Sequence, residues 1–211
     1  MRDQVKMKMN RIATQFVQGS ARRKRNLTRR KGADEKMLET LHSFLDLKTI
    51  IWMLPIIFIF HDLEEIITIE SSMTASNYPK TKFVQQALNA RKKLGSTAAQ
   101  LAVSAAWILL FMSFIAWTTA HGGSFLLFTA ILNLFVFQAF IHIVQTIMFK
   151  GYTPGILTSL VLLIPYCFLA YYYLIENGLL TWPLMFASLP LSLIFIPVFL
   201  IGNLLGRYFI R

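Results

Sequence analysis

The chain has 211 residues, of which 55% are hydrophobic, and its formal net charge is +11. Most of the apolar residues lie after residue 48, a distribution typical of a multi-pass membrane protein and not of a soluble domain. The single cysteine, Cys167, excludes an internal disulfide.

Residues 1–36 form a basic N-terminal tail that differs in composition from the rest of the chain. Seven of the ten residues from Arg22 to Lys31 are Lys or Arg. We expect a flexible tail that rests on anionic lipid headgroups, where each basic residue contributes about 1 kcal/mol. The alternatives are a tail that only orients the chain and a native product that starts at Met37. Charge alone does not indicate nucleic-acid binding, and we expect none.

Five apolar stretches are long enough to cross a bilayer. We therefore predict an all-α transmembrane bundle over residues 37–211, in a bacterial plasma membrane, with spans at about 49–69, 98–120, 124–149, 156–175 and 183–205. Five spans put 13 of the 21 Lys and Arg residues, those up to Lys48, on one side and the other eight on the opposite side. Because a count from Arg29 onward reverses the balance, the positive-inside rule leaves the orientation open. The sequence also leaves the oligomeric state open.

The first span contains an unusual group of ionisable residues. A single Asp near the centre of a membrane helix costs roughly 3 kcal/mol, and such residues face a bundle interior or a water-filled cavity. At about 100° per residue, His61, Glu64 and Glu65 fall at about 0°, 300° and 40°, on one arc of a helix. Asp62 lies on the flank of this arc. We predict that the arc faces the bundle interior and that Leu63 faces lipid or a packing helix.

A second polar stripe lies in the third span. Gln138, His142 and Gln145 share one face of the predicted helix, whereas Asn133 lies on the far side. Two amides beside one imidazole are typical of a histidine held in one orientation for metal binding or proton handling. The alternative is interhelical hydrogen bonding, worth about 0.6 kcal/mol per bond. Since polar stripes on apolar helices are buried against one another, we predict that His142 approaches the acidic cluster.

Other candidate features lie near the ends of the predicted spans. His121 falls in a tight turn and His42 lies more than a turn before the first span, so a surface position is the default for both. Thr153-Pro154-Gly155 predicts a turn followed by a helix start. The N-terminus of that helix is suited to face an anion.

Together, the His61-to-Glu65 motif, the Gln138-to-His142 element and Tyr152-Thr153-Pro154-Gly155 resemble the HXXEE-domain family of small polytopic membrane proteins. The resemblance covers about residues 49–175. The family pattern places Asn four residues before the second His, where this chain has Gln138, which keeps the amide but lengthens its reach. The resemblance implies an intramembrane His/Glu site, a possible enzyme or metal centre, but no substrate.

Three functions are compatible with these features. The first is an intramembrane hydrolase, either metal-dependent, with Zn, Fe or Mn, or activated by paired carboxylates. The second is a transport protein that handles a cation or protons, and the third is a structural or regulatory membrane protein without catalysis. The candidate catalytic and metal-binding residues are His61, Glu64, Glu65 and His142, supported by Gln138, Gln145 and Asp62.

Overall fold

The structure is a computed structural model that describes residues 45–74, 78–94 and 97–210, together with Gly32. Apart from Gly32, the predicted tail 1–36 lies outside the described residues, and so does His42. Residues from Leu47 onward form one compact unit. Its helices are α1 (Leu47–Thr74), α2 (Lys82–Leu94), α3 (Ala98–Ala120), α4 (Phe125–Phe149), α5 (Ile156–Glu176) and α6 (Trp182–Phe209).

The predicted all-α multi-pass bundle is confirmed. Within the described ranges, four helices, α3 to α6, are long and apolar enough to cross a membrane. The first predicted span lies in α1, whose 28 residues extend about 42 Å at 1.5 Å per residue. Four carboxylates, those of Asp62, Glu64, Glu65 and Glu70, make α1 less apolar than the others, yet it packs against α3 and α5. Leu63 is 41% exposed and Ile67 is 75% exposed on its outer face, where lipid would contact them.

Two hydrogen bonds fix the direction of α1 through the bundle. The Tyr166 hydroxyl of α5 donates to the Ile50 carbonyl near the start of α1, at 3.0 Å. The Glu70 carboxylate near the end of α1 accepts from the Ala98 N–H at the start of α3, at 3.3 Å. The start of α3, the end of α4 and the start of α5 all lie at one end of the bundle. Because the Glu70 end of α1 lies there too, the acidic motif lies toward that end.

The start of α5 departs from regular α-helical geometry. Gly155, with φ of +84°, precedes its first residue, and Ser159–Leu163 is π-helical. The Ile164 N–H bonds the Ser159 carbonyl, five residues back. Pro165 has no N–H to donate to the Val161 carbonyl four residues before it, so the backbone hydrogen bonds of the helix rearrange locally. Such π-helical turns are frequent at functional sites.

A bend in α6 allows this helix to pack on two different partners. Its N-terminal part, Trp182–Leu191, packs against α4, and its C-terminal part, Phe195–Phe209, packs against α3. Pro190 and Pro197 flank the bend, and the residues between the two parts form a 3₁₀ turn. Proline removes ladder hydrogen bonds and is the usual cause of such a bend.

Asn133 joins three helices on the far side of α4 from His142. Its Nδ2 donates to the Ser188 hydroxyl of α6 at 2.7 Å, and its Oδ1 accepts from the Tyr171 hydroxyl of α5 at 2.6 Å. These are interhelical contacts of the kind that stabilise membrane bundles. We therefore assign Asn133 to packing.

Candidate metal centre

Two imidazoles and one carboxylate meet between α1 and α4. The potential ligand atoms of His61, Glu65 and His142 all lie within 4.8 Å of one another. The Glu65 Oε1 is 3.0 Å from the His142 Nε2 and 3.9 Å from the His61 Nε2. Both imidazoles are buried, whereas the Glu65 side chain is 22% exposed. The structure thus brings His142 to the His61/Glu65 pair, and we call these three residues the His/Glu cluster.

The hydrogen bonds of His61 fix which of its nitrogens carries the proton. The Thr158 hydroxyl donates its only proton to the Glu64 carboxylate. Its oxygen, 2.9 Å from the His61 Nδ1, must therefore accept a proton from that nitrogen. The His61 Nε2 then presents a lone pair toward the cluster, where the Gln138 amide nitrogen lies 3.1 Å away. The Gln138 amide nitrogen can only donate, so it uses this lone pair in the structure, and a metal ion at His61 would replace that hydrogen bond.

Glu64, although adjacent to Glu65, points to a different helix. Its carboxylate accepts hydrogen bonds from the Leu157 N–H at 3.2 Å and from the Thr158 N–H at 2.7 Å, at the start of α5. The Thr158 hydroxyl and the Tyr152 hydroxyl donate to it as well. A carboxylate is stabilised at a helix N-terminus by free N–H groups and by the helix dipole. The N-terminus of α5 therefore faces the carboxylate of Glu64.

Tyr152 lies outside the membrane-spanning helices, and its hydroxyl donates a hydrogen bond to the Glu64 carboxylate. Partial burial, followed by its hydrogen bond to the Glu64 carboxylate, raises the pKa of the Tyr152 hydroxyl to about 12. The hydroxyl therefore stays protonated at neutral pH and keeps its role as a donor. The loop that carries Tyr152 is tied down by Tyr78, whose hydroxyl donates to the Tyr152 carbonyl at 2.8 Å.

Gly155 leaves room for the cluster in two ways. Its positive φ is readily adopted by glycine and strained for other residues. A Cβ at this position would lie 2.6 Å from the His142 Cε1 and 2.9 Å from the Glu65 Oε1. The turn before α5 therefore approaches the cluster as closely as only a residue without a side chain permits.

We predict that Gly155→Ala displaces His142 and weakens metal binding. Gly122→Ala is the matched control, because Gly122 has a φ of +88° and an added methyl group there would meet nothing within 4 Å. The control should lose about 1–2 kcal/mol of stability from backbone strain alone. Gly155→Ala should lose more and should also lose metal affinity, measured by thermal unfolding with and without metal. Equal effects of the two substitutions would contradict the close approach at Gly155.

His142 retains an unmatched polar atom. Its Nδ1 is buried and has no hydrogen-bond partner in the described part of the chain. A buried polar group without a partner costs roughly 1–3 kcal/mol, and a bound water or ion is one explanation for such a group. The His142 ring also contacts the His61 ring, at 5.0 Å between centroids.

The other candidate residues have varied positions. Asp62 is half-buried and lines the same cavity as Glu65 and Gln138. Gln145 is half-buried, and among the described residues it makes no hydrogen bond to the His/Glu cluster. His121 ends α3 at the opposite end of the bundle, where its Nδ1 lies 2.8 Å from the Trp117 carbonyl. This is the surface position that its turn predicted.

The donor set of the His/Glu cluster fits a first-row transition metal. Two ligands at about 2.0–2.1 Å from one ion lie at most about 4.2 Å apart. The 3.0 Å and 3.9 Å distances satisfy this limit, and the 4.8 Å within which all three ligand atoms lie is slightly longer. Two histidines and one carboxylate are the ligands of a class of catalytic zinc sites and of the non-haem iron facial triad. Both leave a coordination position for water or substrate.

Sequence reasoning missed Thr158, which connects Glu64 to His61. The sequence feature that could have identified Thr158 is the Gly155 turn before it, because residues in the first turn of a helix have backbone N–H groups without an intrahelical partner. Sequence reasoning also grouped Glu64 with Glu65, whereas the structure directs them to α5 and α4, respectively. The 100° step between consecutive helical residues gives the two side chains different directions, but which helix each one meets depends on where α5 begins.

Comparison with known proteins agrees with the motif. A family model described as "Protein of unknown function with HXXEE motif" matches residues 52–171, more than half of the chain. The matched region contains the His/Glu cluster, Gln138, Tyr152 and Thr158. No curated protein and no solved structure matches the chain. The chain belongs to the HXXEE family.

Proposed function

We propose that this protein is an intramembrane metal-dependent hydrolase in which His61, Glu65 and His142 bind one Zn, Fe or Mn ion. The observation that carries the proposal is the approach of two imidazoles and one carboxylate within 4.8 Å. In this proposal the protein acts in the plasma membrane of a bacterium, with the basic tail 1–36 on anionic lipid headgroups.

A metal ion held by His61, Glu65 and His142 would supply Lewis-acid chemistry and make water a better nucleophile at neutral pH. Zinc in such sites lowers the pKa of bound water to about 7 and polarises a substrate carbonyl or phosphoryl oxygen. Asp62, on the flank of the cluster, is the candidate general base. It would take the proton from water as the new bond to oxygen forms, and would deliver it to the leaving group as the scissile bond breaks.

Glu64 has a positioning role in this proposal. It holds the start of α5 and, through the Thr158 hydroxyl, fixes the proton on the His61 Nδ1. Carboxylate partners of metal-binding histidines orient the ring and raise its basicity. Here the link passes through one hydroxyl, so both glutamates of the motif serve the site by different routes.

The transport alternative is less well supported by the cavity beside the cluster. A cation or proton pathway needs polar groups or water along its length. The cavity that Asp62, Glu65 and Gln138 line is otherwise walled mainly by Leu, Ile, Phe, Met and Val side chains. Such a cavity suits an apolar substrate better than a hydrated ion.

Elemental analysis of detergent-purified protein tests the proposal. The wild-type protein, exposed to Zn, Fe or Mn and then desalted, should retain about one ion per chain. His142→Ala should retain none, whereas His121→Ala, a histidine substitution remote from the cluster, should behave as wild type. No metal above the level of His142→Ala in the wild-type protein, for any of the three ions, would refute the metal centre.

A further inference from the structure

A cavity of about 410 Å³ lies between α1, α3, α4 and α6, with Asp62, Glu65 and Gln138 in its wall. Ligand pockets are typically about 300–1,000 Å³, so this volume suffices for a small molecule or one hydrocarbon chain. The cavity shares Glu65 with the His/Glu cluster. A molecule in the cavity would therefore contact the proposed metal centre.

The cavity has a buried floor and an exposed apolar rim. Ala105 and Met112 of α3 are each 2% exposed, whereas Phe137 of α4 and Ile196 of α6 are 60% and 55% exposed. Phe137 lies near the middle of the membrane-spanning α4. The rim therefore opens sideways, between α4 and the bent part of α6, to the hydrocarbon of the bilayer.

A second polar feature lies on the cavity wall. Ser104 of α3 is 2% exposed, and its hydroxyl has no hydrogen-bond partner within the described part of the chain. Buried hydroxyls are nearly always hydrogen-bonded. Ser104 lines the cavity, but its hydroxyl lies against Gly202 of α6, where an added Cβ would be 2.7 Å from the Ser104 Oγ.

We propose that this cavity binds a neutral single-chain amphiphile, whose hydrocarbon chain enters between α4 and α6 and whose ester-bearing head group reaches Asp62, Glu65 and Gln138. This inference rests on the proposed function and names its substrate class. The apolar walls select a hydrocarbon chain, and in protein without bound metal the Asp62 and Glu65 carboxylates disfavour an anionic head group. Hydrolysis would break the acyl C–O bond of the ester. The water oxygen would join the acyl group, and one proton of that water would go to the released alcohol.

The test uses a monoacylglycerol that carries a photoactivatable diazirine in its chain, with the full-length protein in detergent. Labelled peptides should contain the cavity segments 134–141 or 195–200, and unlabelled monoacylglycerol should compete. In chelator-treated protein, a lysophosphatidate of the same chain length should compete less well. Equal or better competition by the anionic amphiphile would overturn the head-group assignment.

Two substitutions on α3 separate the cavity from the outer surface. Ile108 lines the cavity and is 8% exposed, whereas Leu110 is 68% exposed on the same helix. Ile108→Trp should reduce competable labelling by about tenfold, equivalent to about 1.4 kcal/mol, and Leu110→Trp should not. Ala105→Leu provides a smaller filling substitution if Ile108→Trp fails to fold. Labelling that survives every cavity-filling variant that folds would overturn the proposal.

The same probe separates this inference from the metal proposal. His142→Ala and chelator-treated protein should still be labelled, because the hydrocarbon chain contacts apolar walls rather than the metal ligands. Competable labelling of a wild-type protein that retains no ion in the elemental analysis would retain the amphiphile site and refute only the metallohydrolase. Bound metal without competable labelling would retain the metal centre and refute only the amphiphile site.

Discussion

Glu65→Gln should abolish metal binding and function while leaving the protein folded. Gln keeps the shape of the side chain but cannot supply a charged carboxylate ligand. Without metal, the variant should unfold at the same temperature as wild type or at a higher one, because a partly buried charge is removed from an apolar region. The measurements are thermal unfolding in detergent with and without metal, and rescue of a deletion phenotype by plasmid.

Glu176→Gln is the matched control for this substitution. Glu176 is an exposed glutamate at the end of α5, at the opposite end of the bundle. Its replacement should change stability by no more than about 0.5 kcal/mol and should leave metal binding intact. Full rescue and full metal binding by Glu65→Gln would show that Glu65 is not a ligand.

Glu64→Gln should lower the stability of the protein, in contrast to Glu65→Gln. The Glu64 carboxylate accepts bonds from two backbone N–H groups and two hydroxyls. Gln has one acceptor oxygen and places an NH₂ donor against the remaining donors. The two donors of Thr158 are part-buried, and a buried donor left unsatisfied costs roughly 1–3 kcal/mol. The melting temperature in detergent should therefore fall by several degrees.

Thr158→Val separates the positioning role of Glu64 from its effect on stability. The substitution removes the hydroxyl between Glu64 and His61 but keeps the backbone N–H that bonds Glu64. Metal affinity should fall about 10- to 100-fold, as is typical when a partner of a metal-binding histidine is lost. Thr158→Ser keeps the hydroxyl and should bind metal as wild type does. Wild-type affinity in Thr158→Val would contradict the link.

The fold and the three cluster residues follow from the sequence for clear physical reasons. Long apolar stretches require helices in a bilayer, since only these satisfy the backbone within one segment. His61 and Glu65 lie one turn apart on α1, so a common direction was predictable from helical periodicity. His142 was predictable because it lies on the only strongly polar face of its span.

The division of labour between Glu64 and Glu65 was not predictable from periodicity. Both lie on the polar arc of α1, and the choice of partner depends on where α5 begins relative to that arc. That position is set by the Gly155 turn and by the loop that Tyr152 anchors. Contacts between residues about 90 positions apart in the chain need a tertiary structure.

X-ray absorption at the edge of the bound metal identifies the ligands of the proposed centre. We expect nitrogen and oxygen ligands at about 2.0–2.2 Å, with the outer-shell scattering of two imidazoles. One imidazole should disappear in His142→Ala loaded at high metal concentration, and His121→Ala should give the wild-type spectrum. A spectrum without imidazole scattering, or one that His142→Ala leaves unchanged, would contradict a metal centre built from His61, Glu65 and His142.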